Sequence, residues 1–119
     1  MANTPVVFWE LASHDADKSA QFLKDVFDWD ISYDADANFY DVPAFDAPVP
    51  GGIFTLRRAR LPFLTIYIRV DDIEAMVTRV EEHGGYIVDP PIVIDSGAKI
   101  CLFSEPSGVI LAMYEPPKK

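Results

Sequence analysis

The first residues suited to chemistry lie in an apolar strand near the start of the chain, where Glu10 follows Phe8 by two positions. Side chains two apart on a strand point to the same side, so Phe8 and Glu10 are predicted to share a face. A carboxylate on an inward face can act as a general base or bind an amine. The alternative is that Glu10 pairs with Arg69 or lies at a solvated rim, because buried carboxylates need partners.

A second set of polar side chains follows the same rule in a later strand, where Thr65, Tyr67 and Arg69 alternate. Tyr67 can donate a phenol hydrogen bond, and the guanidinium of Arg69 is a fork that binds carboxylates. The alternative for Tyr67 and Arg69 is aromatic packing with a structural ion pair.

The remaining reactive residue types indicate structure more than catalysis. His14 lies in a turn without the companions that a metal site needs, so we expect it to be exposed. His83 lies in the last turn of a predicted helix, where an imidazolium suits the helix dipole. Cys101 is out of phase with Ile100 and Leu102 in its strand, so we expect it to pack under a helix.

One basic cluster, Arg57-Arg58-Ala59-Arg60, connects the two halves of the chain. It can draw an anionic substrate toward a cavity, or it can be a solvated loop that offsets nearby acidic residues. No glycine-rich phosphate loop, nucleophile elbow or Cys-x-x-Cys pair is present in the sequence.

Hydrophobic periodicity predicts the elements that carry these residues. Apolar residues at helical spacing predict a helix over 16–27, with Asp15 or Asp17 as its cap, and a second helix from Ile73 to the stop at Gly84-Gly85. Alternating or β-branched runs predict eight strands, at 5–11, 29–33, 39–42, 51–56, 63–70, 86–88, 99–104 and 109–114.

The two halves repeat the same order of elements at an offset of 57 residues. Val7–Leu11 aligns with Leu64–Ile68, Asp15 with Asp72, and Gly51 with Gly108. Each half reads βαβββ, which predicts an α+β domain with helices outside a curved sheet.

Length and charge restrict the function. The 119 residues suffice for one domain, and the net charge of −9 repels phosphate backbones, so nucleic acid is not an expected partner. The acidity favours a cationic ligand or serves solubility. No membrane span or export signal is visible, and the single Cys101 fits a reducing cytoplasm, so we expect a cytoplasmic protein.

Three segments carry a resemblance to a known family. The first comprises Phe8–Leu11, Asp15 and Phe22–Trp29, the second is Tyr67–Ile73, and the third is the turn Ser104–Ile110. Together they resemble the glyoxalase / bleomycin-resistance / extradiol-dioxygenase superfamily, also called vicinal oxygen chelate proteins. The resemblance implies paired βαβββ modules that form a cup-shaped mixed sheet around a ligand cavity, often in a homodimer.

The resemblance also implies four metal ligands, contributed by the first and last strands of each module. These positions fall on Phe8, Thr65, Thr55 and Ala112, the last two again 57 apart. Phenylalanine and alanine cannot bind a metal and a neutral threonine is a poor donor, so we expect the usual metal site to be absent, with no cofactor.

The sequence therefore predicts a single domain over residues 1–119, with module one at 5–57 and module two at 62–115, and a homodimer. The expected function is binding of a small organic molecule in an apolar cup without the usual metal. The alternatives are a metal-dependent lyase or isomerase of the lactoylglutathione lyase type, and a sequestering protein of the bleomycin-resistance kind, whose ligand is cationic. The expected site is Glu10 as the acid–base group and, for ligand binding, Phe8, Thr55, Thr65, Tyr67, Arg69, Ile110, Ala112 and Tyr114.

Overall fold

A computed structural model describes residues 3–44, 49–57 and 59–118 of the chain. The chain divides into two compact units, Phe8–Thr65 and Ile66–Lys119, with Met1–Val7 belonging to the second. These described ranges contain two α-helices and eight strands in the order βαβββ-βαβββ, which confirms the predicted α+β fold class. Neither helix in the described ranges is long and apolar enough to cross a membrane.

Module one consists of β1 (Val6–Ser13), α1 (Ala16–Phe27), β2 (Ser32–Asp34), β3 (Phe39–Val42) and β4 (Gly51–Thr55). Its strands lie in the order β2-β3-β4-β1, with β1 parallel to β4 and the other pairs antiparallel. Helix α1 covers one face through a core of Ala16, Ala20, Ile31, Val42 and Ile53.

Helix α1 has the boundaries that its sequence predicts. Asp15 is the N-cap and accepts a hydrogen bond from the backbone N–H of Lys18 at 3.2 Å. Asp28 ends the helix in the left-handed conformation, with φ of 57°. The hydroxyl of Tyr40 donates to Asp17, which links β3 to α1 and raises the pKa of Tyr40 to about 12.

Module two consists of β5 (Phe63–Arg69), α2 (Ile73–Glu82), β6 (Tyr86–Val93), β7 (Lys99–Ser104) and β8 (Ile110–Glu115). Its strands lie in the order β5-β8-β7-β6, with β5 parallel to β8. Asp72 caps α2 by accepting from the N–H of Ala75 at 3.1 Å. The core beneath α2 contains Val70, Ile73, Cys101, Phe103 and Met113.

Two predicted strands have the wrong extent. The strand expected at 29–33 is only Ser32–Asp34, because Trp29 turns away after Asp28 and packs between Trp9 and Phe27, with ring centroids 6.1 and 5.8 Å apart. The strand expected at 86–88 continues to Val93 through Pro90 and Pro91. Prolines are tolerated there because β6 lies at the edge of its sheet.

Candidate functional site

The two faces of the module-one sheet separate packing residues from candidate site residues. Trp9 and Leu11 pack in the core beneath α1, so Phe8 and Glu10 lie on the opposite side of β1. We call that side the helix-distal face. Phe8 and Glu10 are both half-buried, and both lie within β1 two positions apart.

The consecutive glycines that begin β4 make room for aromatic rings on both faces. A Cβ on Gly51 would lie 1.9 Å from the indole of Trp9, and a Cβ on Gly52 would lie 1.9 Å from the ring of Phe39. Phe39 in turn stacks on Phe8, with ring centroids 6.2 Å apart and planes 23° apart. The glycines therefore allow a stacked aromatic pair to lie flat on the helix-distal face.

A depression of about 500 Å³ opens beside Phe8, at the end of the sheet where β1, β2 and β4 begin and β3 ends. Its volume falls within the roughly 300–1,000 Å³ of small-molecule sites. Within the described part of the chain, the lining is apolar except for Asp30, Ser32 and Asp41. The described residues that line it are Phe8, Asp30, Ser32, Asp41, Val42, Pro43, Pro50 and Gly51.

Sequence reasoning found only Phe8 among the residues that line this depression. The others were missed because they lie at strand ends and in connecting segments, where hydrophobic alternation gives no signal of a shared site. The prolines at 43 and 50, which break the strands on either side, were the available signal, together with the acidic residues of the first fifty positions. Glu10 lies two positions further along β1, opposite Gly52, and does not line the depression.

The helix-distal face of module two brings together five of the predicted ligand-binding residues. Tyr67 pairs with Ala112, and Arg69 pairs with Tyr114, across the parallel strands β5 and β8. Ile110 continues the same row along β8. Tyr67 and Ala112 are buried, Ile110 and Tyr114 are half-buried, and Arg69 is exposed.

The two predicted threonines differ in position: Thr65 lies on the same side of β5 as Tyr67, and Thr55 lies on the helix side of its sheet. Thr65 precedes Tyr67 by two positions on β5 and is buried. Thr55 lies on the helix side of its sheet, because its hydroxyl accepts a hydrogen bond from the N–H of Ala16 in the first turn of α1 at 3.2 Å. Thr55 is thus not brought together with Phe8 and Glu10.

The strand register explains the position of Thr55. The caps Asp15 and Asp72 are 57 apart, as the repeat predicts. The strand pairs do not keep this offset. Thr55 pairs with Ser13 of β1, whereas Ala112, 57 positions after Thr55, pairs with Tyr67 of β5. Glu10, the repeat mate of Tyr67, pairs with Gly52. The last strands therefore correspond at an offset of 60, and the module-one counterpart of Ala112 is Gly52.

The residues at the four positions implied for a metal do not fit one. Phe8, Ala112 and Gly52, which replaces Thr55 once the register is applied, have no side-chain donor atom. Thr65 offers a single neutral hydroxyl. We derive no step through a metal at these positions.

Three carboxylates, from Asp72, Glu74 and Glu115, lie within 4.8 Å of one another at the start of α2. Each has a structural partner. Asp72 caps the helix, buried Glu115 accepts from the N–H of Ile73 at 2.9 Å, and Glu74 forms an ion pair with Lys99 at 3.2 Å. The cluster is accounted for by the helix N-terminus, whose partial positive charge favours anions.

The other reactive side chains have structural surroundings. His14 is half-buried and hydrogen-bonded to the carbonyl of Arg60 at 2.5 Å, so the expectation of an exposed turn residue is wrong. His83 ends α2, with Nδ1 2.9 Å from the carbonyl oxygen of Arg79. Cys101 is buried under α2, as expected, and burial raises the pKa of its thiol to about 11. In the basic connector, Arg58 lies outside the described residues.

The turn that helped to suggest the family resemblance is held by Glu105. Its carboxylate accepts from the hydroxyl and N–H of Ser107 and from the N–H of Val109. These bonds lower the pKa of Glu105, that from the Ser107 hydroxyl most of all. Gly108 takes a φ of 103°, which favours glycine. The turn therefore has a structural role in joining β7 to β8.

Comparisons with known proteins agree on the fold. The sequence model of the Glyoxalase/Bleomycin resistance protein/Dioxygenase superfamily matches residues 6–113. No curated protein matches the chain. A superfamily member from Vibrio splendidus 12B01 is similar at 20% identity and a TM-score of 0.64, over 95% of this chain and 98% of that one.

Solved structures with other names share the fold equally well. Methylmalonyl-CoA epimerase from Mycobacterium tuberculosis has 16% identity and a TM-score of 0.64, over 99% of this chain and 93% of that one. A structure named NAD-dependent benzaldehyde dehydrogenase from Legionella pneumophila has 13% identity and a TM-score of 0.68, over 92% of this chain and 97% of that one. At these identities the likeness concerns the fold alone.

Proposed function

This chain belongs to the Glyoxalase/Bleomycin resistance protein/Dioxygenase superfamily, and we propose that it binds a small organic molecule against the aromatic wall of the module-one depression. The observation that carries the proposal is the stacked pair of Phe8 and Phe39, one ring of which lines a depression large enough for a ligand. Rigid aromatic rings supply much contact area at little cost in conformational entropy.

Glu10 is the proposed polar anchor and acid–base group on the same face. It is half-buried and follows Phe8 by two positions, so its carboxylate lies on the side that carries the aromatic pair. A carboxylate in such a position accepts a proton from, or hydrogen-bonds, a polar group of a bound molecule.

The helix-distal face of module two is a second proposed ligand-binding surface. Tyr67, which pairs with Ala112, supplies a phenol, and Arg69, which pairs with Tyr114, supplies a guanidinium. The residues proposed to contact a ligand on this module are Thr65, Tyr67, Arg69, Ile110, Ala112 and Tyr114.

We propose binding without the usual metal, because the residues at the implied ligand positions lack donor atoms. This argument disfavours the lactoylglutathione lyase alternative, whose chemistry depends on the metal. The epimerase likeness supplies no substrate at 16% identity. A cytoplasmic homodimer remains part of the proposal, supported by the single cysteine and by exposed apolar side chains on α1.

The test is a titration of ¹⁵N-labelled protein with a panel of cationic, neutral and anionic aromatic compounds, in the presence of EDTA. We expect at least one compound to shift the amide signals of Ser32, Asp41 and Gly51. Replacing Phe8→Ala should weaken that binding about tenfold, because an aromatic contact contributes about 1 kcal/mol beyond its buried area.

The matched control is Phe22→Ala, which removes a 60% exposed ring from α1. This variant should bind as the unchanged protein does, and Phe8→Leu should retain part of the affinity if the first variant unfolds. A panel in which no compound moves these amides, or equal binding by Phe8→Ala, would contradict the proposed site.

A further inference from the structure

We propose that the module-one depression selects organic cations, such as an ammonium ion carried by an aromatic or alkyl group. The inference rests on the proposed function, since it names the ligand class of the same site. Three features of the lining support it: the charged groups, the aromatic wall and the scarcity of hydrogen-bond donors.

Among the described residues that line the depression, the charged side chains are all acidic. Asp30 and Asp41 are exposed side chains at the rim, and no basic residue is among the eight that line the depression. Within the described ranges, neither carboxylate forms an ion pair with a lysine or arginine. A bound cation therefore gains two attractive interactions and displaces no lysine or arginine of the described residues from these carboxylates.

The aromatic wall offers a second attraction to the same ligand. Phe8 lines the depression, and its ring stacks on that of Phe39. A cation within about 6 Å of a ring face is attracted by the quadrupole of the ring. Val42, Pro43 and Pro50 complete an apolar surface for the carbon part of the ligand.

Anions find little to bind in this lining. Ser32 is the one side chain of the eight that donates a hydrogen bond when the two aspartates are ionised. Pro43 and Pro50 lack the backbone N–H groups that commonly hold carboxylates and phosphates. The chain surrounding the site adds long-range repulsion, because residues 1–50 contain ten acidic side chains and two lysines.

The experiment compares three probes of similar shape and different charge: benzylammonium, benzyl alcohol and benzoate. Each is titrated separately into ¹⁵N-labelled protein near pH 7, and the shifts of Ser32, Asp41 and Gly51 locate the binding. We expect benzylammonium to bind about tenfold more tightly than benzyl alcohol, with benzoate weakest, because each exposed charge pair contributes up to about 1 kcal/mol.

Two double variants distinguish the effect of the local carboxylates on binding from the effect of the net charge. Asp30→Asn with Asp41→Asn should remove most of the preference for benzylammonium and leave the affinity for benzyl alcohol nearly unchanged. The control, Glu81→Gln with Glu82→Gln, removes the same charge from the exposed side of α2 and should keep the preference. Raising the salt from about 0.02 M to about 0.5 M should weaken benzylammonium alone.

The outcomes distinguish the two proposals. Equal binding of benzyl alcohol and benzylammonium at these amides would overturn the cation preference and leave the binding site standing. A preference that survives Asp30→Asn with Asp41→Asn would also overturn it. If no probe moves these amides, and the wider panel moves none either, the binding site itself is wrong.

Discussion

At the scale of single residues, two glycines determine where aromatic rings pack in module one. Gly51 and Gly52 are adjacent in β4, and each leaves space that an aromatic ring from a neighbouring strand occupies. One ring, Trp9, belongs to the core beneath α1, and the other, Phe39, belongs to the helix-distal face. The two glycines therefore allow aromatic packing both in the core and on the face that carries the proposed site.

Gly51→Ala should lower the free energy of unfolding by about 1–3 kcal/mol, because the added Cβ would lie 1.9 Å from the Trp9 indole. Urea denaturation measures this loss. In a Trp9→Ala background the same change should cost less, since the obstructing ring is gone. A cost that is equal in both backgrounds would show that Trp9 does not occupy this space.

At the scale of elements, the last strand of each module also fixes the start of its helix. Thr55 accepts from the N–H of Ala16, and Glu115 accepts from the N–H of Ile73, the residue that follows the cap in each case. The first N–H groups of a helix have no partner within the helix. A side chain from β4 or β8 supplies that partner, so strand and helix are positioned together.

Thr55→Val keeps the shape of the side chain and removes the acceptor, so it should lower the free energy of unfolding by about 1 kcal/mol. Thr78→Val on the exposed side of α2 is the matched control and should change stability by less than about 0.5 kcal/mol. Chemical denaturation of both variants provides the measurement. If Thr55→Val changed ligand affinity without changing stability, a ligand-binding role for Thr55 would be favoured over this one.

The elements themselves were largely predictable from the sequence, and the register between them was not. Helix α1 and strands β3 and β7 match their predicted ranges, because periodicity and the cap at Asp15 are local signals. The equivalence of Thr55 with Ala112 assumed a constant offset. A difference of three residues reverses the face on which a strand residue lies, and only the strand pairing reveals it.

The candidate site was less predictable for the same reason. Phe8 was found because it lies in a strand whose alternation is visible in the sequence. Asp30 and Asp41 lie more than ten positions apart in the chain and approach the same depression through the pairing of β2 with β3. Nothing in their local sequence distinguishes them from the many other aspartates of module one.

At the scale of the whole molecule, net charge and exposed apolar surface act in opposite directions on self-association. The charge of −9 opposes the close approach of two copies. Phe22 and Val26, one helical turn apart on α1, are 60% and 55% exposed and form an apolar surface that association would cover.

The proposed homodimer predicts a particle of twice the 13.3 kDa chain mass in sedimentation equilibrium. Added salt should strengthen the association, because it screens repulsion between the acidic copies. Phe22→Ser with Val26→Ser should shift the equilibrium toward single chains, and Leu61→Ser, at a residue 85% exposed in the connector, should not. A single-chain mass at every concentration would contradict the homodimer.

The edge strand β6 has a consequence for behaviour at high concentration. Ile92 and Val93 are exposed there, beside the consecutive prolines at 90 and 91. Exposed apolar edges commonly nucleate fibrils, in which strands of successive molecules add by backbone hydrogen bonds. Two neighbouring residues without an N–H cannot donate to an added strand, so we expect this edge to resist such growth.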